Sequence, residues 1–255
     1  MIPNLGIIVP YRDRTDHLNI FVPHIAAFFS RAAKEVGGAI RVKIVEQEQG
    51  LEFNRGFLKN IGYNLCKGSC DYVCFHDVDH IPIWADYSAP KRVAPIVWYG
   101  AEKIIDPRRV QVTHDLAKHF GGAVLFNKQD FERINGYPNG YWGWGYEDSD
   151  IRHRCLVLNM PIERRKGTFQ VLPHIHEGYD DFGNPSAINI RNRELFEQRF
   201  PSSSFNEGDA YRTCRMEEDG LSEIEYSVLR RAAFPSPFTD ERGIDFEIVT
   251  VSIQK

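Results

Sequence analysis

The segment Asp71-Tyr72-Val73-Cys74-Phe75-His76-Asp77-Val78-Asp79 joins a short β-prone apolar run to two carboxylates separated by one residue. Asp71 to His76 reads as a strand, and the acidic triplet falls where it ends. Upstream, Asn54 to Lys67 places Phe57, Leu58, Ile61 and Leu65 on one helical face, with Gly68 as the stop. Arg41 to Val45 reads as a second strand. Asp16 to Val36 repeats apolar residues at Leu18, Phe21, Val22, Ile25, Ala26, Phe29 and Ala32, a helical period closed by Gly37-Gly38. Leu5 to Val9 is a buried strand ended by Pro10. Strand, helix, strand, helix, strand within some eighty residues argues for a parallel, right-handed α/β sheet. Ligands of such sheets bind beyond the carboxyl ends of the strands, where the acidic triplet and the Tyr11-Arg12-Asp13-Arg14 cluster both lie.

The second half is less regular. Ala94 to Tyr99, Gly122 to Phe126, Thr168 to Leu172 and Phe246 to Ile253 read as strands. Lys128 to Asn135, Asp148 to Leu158 and Ala187 to Arg199 read as helices, and Asp180 to Ser186 as a polar loop. No repeat, low-complexity tract or linker interrupts the 255 residues, so a single domain is expected.

Composition excludes several classes. With 42% hydrophobic and 26% charged residues the chain is an ordinary globule, neither disordered nor fibrous. A net charge of −4 gives no electrostatic basis for nucleic-acid binding or for attraction to anionic membranes. Five cysteines argue against a disulfide framework and for a reducing compartment. Cys66, Cys70 and Cys74 lack zinc-ligand spacing and read as packed or free thiols. The N-terminus shows no signal-peptide pattern, and no apolar run approaches the ~18 residues of a membrane span. A cytoplasmic protein is expected, with a position peripheral to the inner face of the membrane left open.

Three motifs carry chemistry. Asp77 and Asp79 can hold a divalent cation that bridges two phosphates, or can simply form a solvated turn. His174 and His176, at i and i+2 on an extended segment, project to one side and suit a metal of the manganese or zinc type, or are two surface histidines. His17, His24, His80, His114 and His153 carry no ligand spacing. The segment Gly140-Tyr141-Trp142-Gly143-Trp144-Gly145-Tyr146-Glu147-Asp148 alternates glycines with flat aromatic faces and then starts a helix with carboxylates. Aromatic faces beside carboxylates suit sugar rings, and a carboxylate there can take a proton from a sugar hydroxyl; an aromatic core cluster before an acidic helix start is the other reading. Arg12, Arg14 and Arg55 suit a pyrophosphate, and Tyr11 and Phe53 a nucleobase. Neither a Walker A run nor GxGxxG occurs.

Taken in order, these segments resemble the β-1,4-galactosyltransferase family of inverting, metal-dependent glycosyltransferases. The resemblance runs from Ile7 to Arg14 with His17-Leu18, through Phe53-Asn54-Arg55, Phe75 to Asp79 and Ile81-Pro82, to Phe120-Gly121-Gly122, Ile134-Asn135-Gly136, Tyr141 to Gly145 with Glu147-Asp148, and Asp219-Gly220-Leu221 with Tyr226. The HxH pair is similar to the metal-site variant of the xylosyl-acceptor branch. The family resemblance implies a GT-A-type α/β fold with a mostly parallel central sheet, residues 1–82 forming the nucleotide-binding half and 83–255 the acceptor-binding and metal-completing half. It implies that Pro10, Tyr11, Arg12, Arg14, Phe53, Arg55, Asp77, Val78 and Asp79 line the nucleotide site. Asp79, His174 and His176 would bind Mn²⁺, with Mg²⁺ the alternative. His119, Gly121, Gly122, Trp142, Trp144, Glu147 and Asp148 would contact donor and acceptor sugars, with Asp148 as general base.

The implied activity is transfer of galactose from UDP-galactose to a hydroxyl of a glycan or lipid-linked saccharide, forming a β linkage. UDP-N-acetylgalactosamine as donor and a non-catalytic carbohydrate-binding protein are the alternatives. Ser149 stands where many members carry a third acidic residue that contacts the acceptor, which predicts a change in the hydroxyls recognised. His119 stands where galactose-specific members commonly carry Tyr, a position that bears on the donor sugar. With no anchor-like segment read in the sequence, the resemblance is to a bacterial, cytosolic member of the family, and that is the expectation.

Overall fold

β1 (Leu5–Tyr11), β2 (Ile40–Gln47) and β3 (Tyr72–His76) run parallel with β1 in the middle, as expected from the first eighty residues. This computed structural model describes residues 2–31, 36, 38–97, 119–173, 178–180, 183–201, 214, 216–233 and 244–254 in full, and 102–106 and 109–110 as backbone. The helices between the strands are α1 (Thr15–Arg31) and α2 (Arg55–Cys66). β4 (His80–Ala85), β5 (Ala94–Pro95), β6 (Glu102–Asp106), β7 (Arg109–Val110) and β8 (Ala123–Asn127) follow, then α3 (Lys128–Arg133), α4 (Glu147–Val157), β9 (Gly167–Val171), α5 (Ala187–Arg199), β10 (Tyr226–Ala233) and β11 (Ile244–Ile253).

The main sheet has seven strands in the order β10-β11-β2-β1-β3-β8-β5. Its central four, β11 to β3, are parallel, and antiparallel strands flank them on both sides. Alternation along the strands builds two cores. Leu5, Ile7 and Val9 of β1 and Tyr72 and Cys74 of β3 face α1, where Phe21, Val22, Ile25 and Phe29 cover them. Ile8, Val73, Phe75, Val124 and Phe126 face the opposite way, toward Phe57, Leu58 and Ile61 of α2 and Ile151 of α4. The described cysteines are all buried free thiols, with Cys66 and Cys70 sulfurs 3.7 Å apart.

A second sheet, β4-β9-β6-β7, completes the edge next to the acidic triplet. β4 was not expected, because Pro82 interrupts the strand pattern; the register shifts between Pro82 and Trp84, a bulge that accommodates the missing donor. β10 escaped as well, since most of its residues are exposed and it pairs only along β11. Of the strand expected over Ala94 to Tyr99, Ala94–Pro95 is strand and residues 98–101 lie outside the described residues. Among the described residues no helix is long and apolar enough to cross a membrane.

Candidate active site

The site forms where the N-terminus of α2, the loop before α4 and the end of β3 meet. Asn54 starts α2: its Oδ1 accepts from Phe57 N at 2.9 Å, and its Nδ2 donates to Asn139 O at 2.7 Å. One side chain therefore caps the helix and fastens it to the aromatic segment. Asn60, six residues on, adds a second fastening, with Nδ2 donating to Tyr137 O at 2.8 Å and Oδ1 accepting from Tyr137 N at 2.9 Å. Gly56 permits the approach, because a Cβ there would collide with Pro138 O. This docking aims Arg55 and Lys59 at the carboxylates of α4.

The aromatic segment bends through positive φ at Gly143, Gly145 and Tyr146 before α4 begins. Gly143 N donates to Phe53 O at 2.7 Å. Asn192 of α5, buried, donates from Nδ2 to Trp142 O and Trp144 O, each at 3.0 Å, and to Gly145 O at 3.3 Å. Glu147, Asp148 and Asp150 then occupy the first turn of α4, where free backbone N–H groups favour negative charge. Asp150 faces inward to Arg154 (2.7 Å), Arg199 (3.2 Å) and the Tyr141 hydroxyl (3.0 Å), an anchor for the helix.

Arg55 is the electrostatic hub. It pairs with Glu147, with Asp77 Oδ2 at 3.1 Å and with Asp148 Oδ2 at 3.9 Å. Burial alone would lower its pKa, but the carboxylates of Glu147, Asp77, Asp148 and Asp79 raise it well above the ordinary value. Burial pushes the Asp77 carboxyl up, and Arg55 and Lys59 together bring it below its ordinary value. Glu147 stays raised, because its own burial and the neighbouring Asp148 outweigh Arg55. Lys59, only 2% exposed, places Nζ 3.2 Å from Asp148 Oδ1 and 4.0 Å from Asp77 Oδ1, over the Tyr137 ring.

On the other side of the triplet, Asp79 Oδ2 is 3.6 Å from Arg14 and Asp79 Oδ1 is 2.8 Å from His80 Nδ1. Asp77, Asp79 and His80 each bring one potential ligand atom, all within 4.8 Å of one another. Asp77 Oδ1 and His80 Nε2 are buried without a hydrogen bond. A carboxylate pair with an unsatisfied oxygen fits a hard or borderline divalent cation. β9 brings the chain to this point, since Leu172 N donates to Asp79 O at 2.8 Å. His174 and His176 lie outside the described residues.

A family model described as the N-terminal region of glycosyl transferase group 7 matches residues 2–88, and one described as the N-terminal domain of galactosyltransferase matches residues 108–177. Together they cover more than half of the chain. The protein belongs to the group 7 glycosyltransferases. It is similar to β-1,4-galactosyltransferase 7 of Drosophila melanogaster, 29% identical over 232 residues covering 89% of this chain and 63% of the relative. The human enzyme of the same name is 30% identical over 234 residues, 90% of this chain and 63% of the relative. Human β-1,4-galactosyltransferase 1 is 29% identical over 240 residues, 91% of this chain and 52% of the relative. The chain thus spans between half and two thirds of these relatives' length. A solved structure of the catalytic domain of the Drosophila β-1,4-galactosyltransferase 7, in complex with xylobiose, aligns with a TM-score of 0.68 and 25% identity, covering 100% of this chain and 95% of that one. A mutant of that protein, solved in complex with manganese, UDP-Gal and xylobiose, aligns equally well. The GT-A expectation is thereby met.

In this group 7 glycosyltransferase the expected site residues are distributed around the meeting point of α2, α4 and β3. Arg55, Asp77, Glu147 and Asp148 converge directly, and Asp79 with Arg14 forms the adjoining pair. Pro10 and Tyr11 are buried at the end of β1, and the Arg12 guanidinium lies 5.3 Å from the Phe53 ring centre. Val78, expected at the nucleotide site, buries its side chain in the α1-side core. Gly121 lies against Asp148 with His119 beside it, while Gly122, at φ +80°, accepts from Asp77 N through its carbonyl at 2.7 Å. Trp144 is half-buried with Tyr179 edge-on at 5.5 Å, and Trp142 packs on the α2-side core. Tyr141 is no sugar platform: it is 2% exposed and bound to Asp150. Sequence reasoning missed Lys59, His80 and Asn192. Nothing in their spacing marks them, although an isolated lysine on the helix that follows FNR is a weak signal.

Proposed function

We propose that the protein is an inverting glycosyltransferase that moves galactose from UDP-galactose to a hydroxyl of a sugar acceptor with Mn²⁺ assistance. The observation that carries this reading is the Asp148 carboxylate, fixed at Oδ1 by Lys59 while Oδ2 lies against Gly121, beside the Asp77–Asp79 pair. The names of its relatives and the manganese, UDP-Gal and xylobiose of the solved Drosophila mutant support the choice of metal, donor and acceptor class.

In this reading Asp148 takes the proton from the acceptor hydroxyl. The hydroxyl oxygen forms a bond to the anomeric carbon from the face opposite the nucleotide. The bond from that carbon to the diphosphate oxygen breaks, and UDP leaves with the electron pair, so the configuration inverts. Arg55 holds Glu147 at the acceptor side, and Arg14 faces the phosphates. Asp79, His174 and His176 would hold the metal, which when bound offsets the charge that develops on the diphosphate. Residues 1–82 serve the nucleotide and 83–255 the acceptor within one domain.

The test is incubation with UDP-galactose, Mn²⁺ and a β-xyloside, read by mass spectrometry and NMR. A β-linked product heavier by one hexose, formed as UDP is released, is expected. UDP-galactose consumed at the same rate without acceptor, and no disaccharide, would mean a hydrolase. Asp148→Asn is expected to lose about 10²- to 10⁴-fold in turnover while keeping the thermal shift given by UDP and Mn²⁺. Full activity in that variant sinks the base assignment.

A further inference from the structure

His80 follows the acidic triplet directly, and its surroundings leave it one polar task. The side chain is buried, with Nδ1 2.8 Å from Asp79 Oδ1. A lone pair on Nδ1 would repel the carboxylate, so the proton belongs on Nδ1 and is donated to Oδ1. The far edge of the ring is wedged into the protein: its Cδ2 would lie 3.1 Å from a Cβ on Gly122, and Phe169 meets it edge-on at 6.5 Å. Nε2 is buried there with no hydrogen bond. An aliphatic side chain would avoid burying that nitrogen, so the bond to Asp79 is what distinguishes histidine here.

Asp79 is thereby gripped at two points. His80 holds Oδ1, and Leu172 N holds the main-chain oxygen at 2.8 Å. Oδ2 is left facing the Arg14 side. We propose that His80 is a positioning residue for the metal site: it locks the Asp79 carboxylate so that Oδ2 is presented to the divalent cation. This rests on the reading of Asp79 as a metal ligand. His80 itself is no ligand in this arrangement, because Nδ1 carries the proton given to Asp79 and Nε2 points into the core.

Mn²⁺ binding followed by electron paramagnetic resonance, with and without saturating UDP, tests this without requiring turnover. Loss of a partner that orients a ligand typically weakens metal affinity 10- to 100-fold, and that loss is expected for His80→Leu. In His80→Asn the amide nitrogen can take the place of Nδ1, so affinity within a few-fold of wild type is expected, with matching metal-free melting temperatures. Wild-type affinity in His80→Leu, or an equal loss in both variants, overturns the proposal. Asp79→Ala serves as the control: unchanged Mn²⁺ binding there means that Asp79 is not a ligand, and the proposal falls with that reading. A measurement on the unmutated protein covers the case in which His80→Leu does not fold. Nitrogen-15 NMR is expected to show His80 as the Nδ1–H tautomer before and after ¹¹³Cd²⁺ is added. A nitrogen–cadmium coupling at His80 would make it a direct ligand and overturn the positioning role.

Discussion

Lys59 Nζ lies 3.2 Å from Asp148 Oδ1 in a position only 2% exposed, so the proposed general base is paired with a buried cation from another helix. Lys59 and Arg55 together face Asp77, Glu147 and Asp148. Replacing Lys59 by Met leaves three carboxylates against one guanidinium. Removing one partner of a buried pair costs about 3–5 kcal/mol, so urea unfolding of Lys59→Met is expected to show a loss of that order, with Lys59→Arg losing less. Equal stability of wild type and Lys59→Met would show that the pair contributes nothing.

Gly121 is the second contact of the same carboxylate. A Cβ at this position would fall inside the contact radius of Asp148 Oδ2, with His119 Cε1 at 3.4 Å as its other neighbour. In Gly121→Ala the carboxylate must turn away from its bond with Lys59. A misplacement near 1 Å at a reacting group can cost about 10²-fold. Turnover is expected to fall by that order, with UDP and Mn²⁺ affinity retained, since the added methyl meets Asp148 and His119. A variant with wild-type turnover would show that Asp148 does not act from this position.

Much of this architecture is legible in the sequence where a local rule and the global fold agree. α5 matches its expected span of Ala187 to Arg199, and α2 starts after the Asn54 cap. The strands β1 to β3 follow from their apolar runs. Legibility ends where burial depends on a distant partner. Lys59 lies off the apolar face of α2 and would be solvated on an isolated helix, but Tyr137 covers it and Asp148 pairs with it. Tyr141 has the composition of a sugar platform, yet Asp150 and Arg199 draw it inward. The meeting of Asp77, Glu147 and Asp148 around Arg55 is implied by a family resemblance and not by their spacing of some seventy residues.

His76, next to the triplet, sets an acid limit on the fold. It is wholly buried, with Nδ1 2.9 Å from Asp77 O and Nε2 2.8 Å from the Tyr87 hydroxyl. Burial pushes its pKa down to about 4. An unfolded histidine titrates near 6.5, so between these values the unfolded chain binds a proton that the folded chain refuses. Stability contributed here is intact above about pH 6.5 and is lost as pH falls toward 4, by about 3 kcal/mol in all. Urea unfolding at pH 7 and pH 5 is expected to show wild type losing about 2 kcal/mol more than His76→Gln. Parallel losses in the two proteins would place the proton elsewhere.

Asn192 offers a test of what holds the aromatic segment in shape. Its amide nitrogen, with two N–H bonds, is shared among the carbonyls of Trp142, Trp144 and Gly145, on a backbone that passes through positive φ at Gly143, Gly145 and Tyr146. Donor and acceptor character, not size, decides this contact. Asn192→Ala removes this donor, although Trp142 O still accepts from Arg191, and the loss of a buried hydrogen-bond donor costs about 1–3 kcal/mol. Asn192→Asp preserves shape but faces the same carbonyls with an oxygen that cannot donate, so it is expected to be the less stable of the two. Trp144 and the start of α4 follow from this segment, whereas Arg14 and Asp79 sit at the strand ends. Both variants are therefore expected to raise the acceptor KM and lower kcat while UDP affinity stays near wild type. If Asn192→Asp proves as stable and active as the unmutated protein, the segment does not depend on the Asn192 amide for its shape.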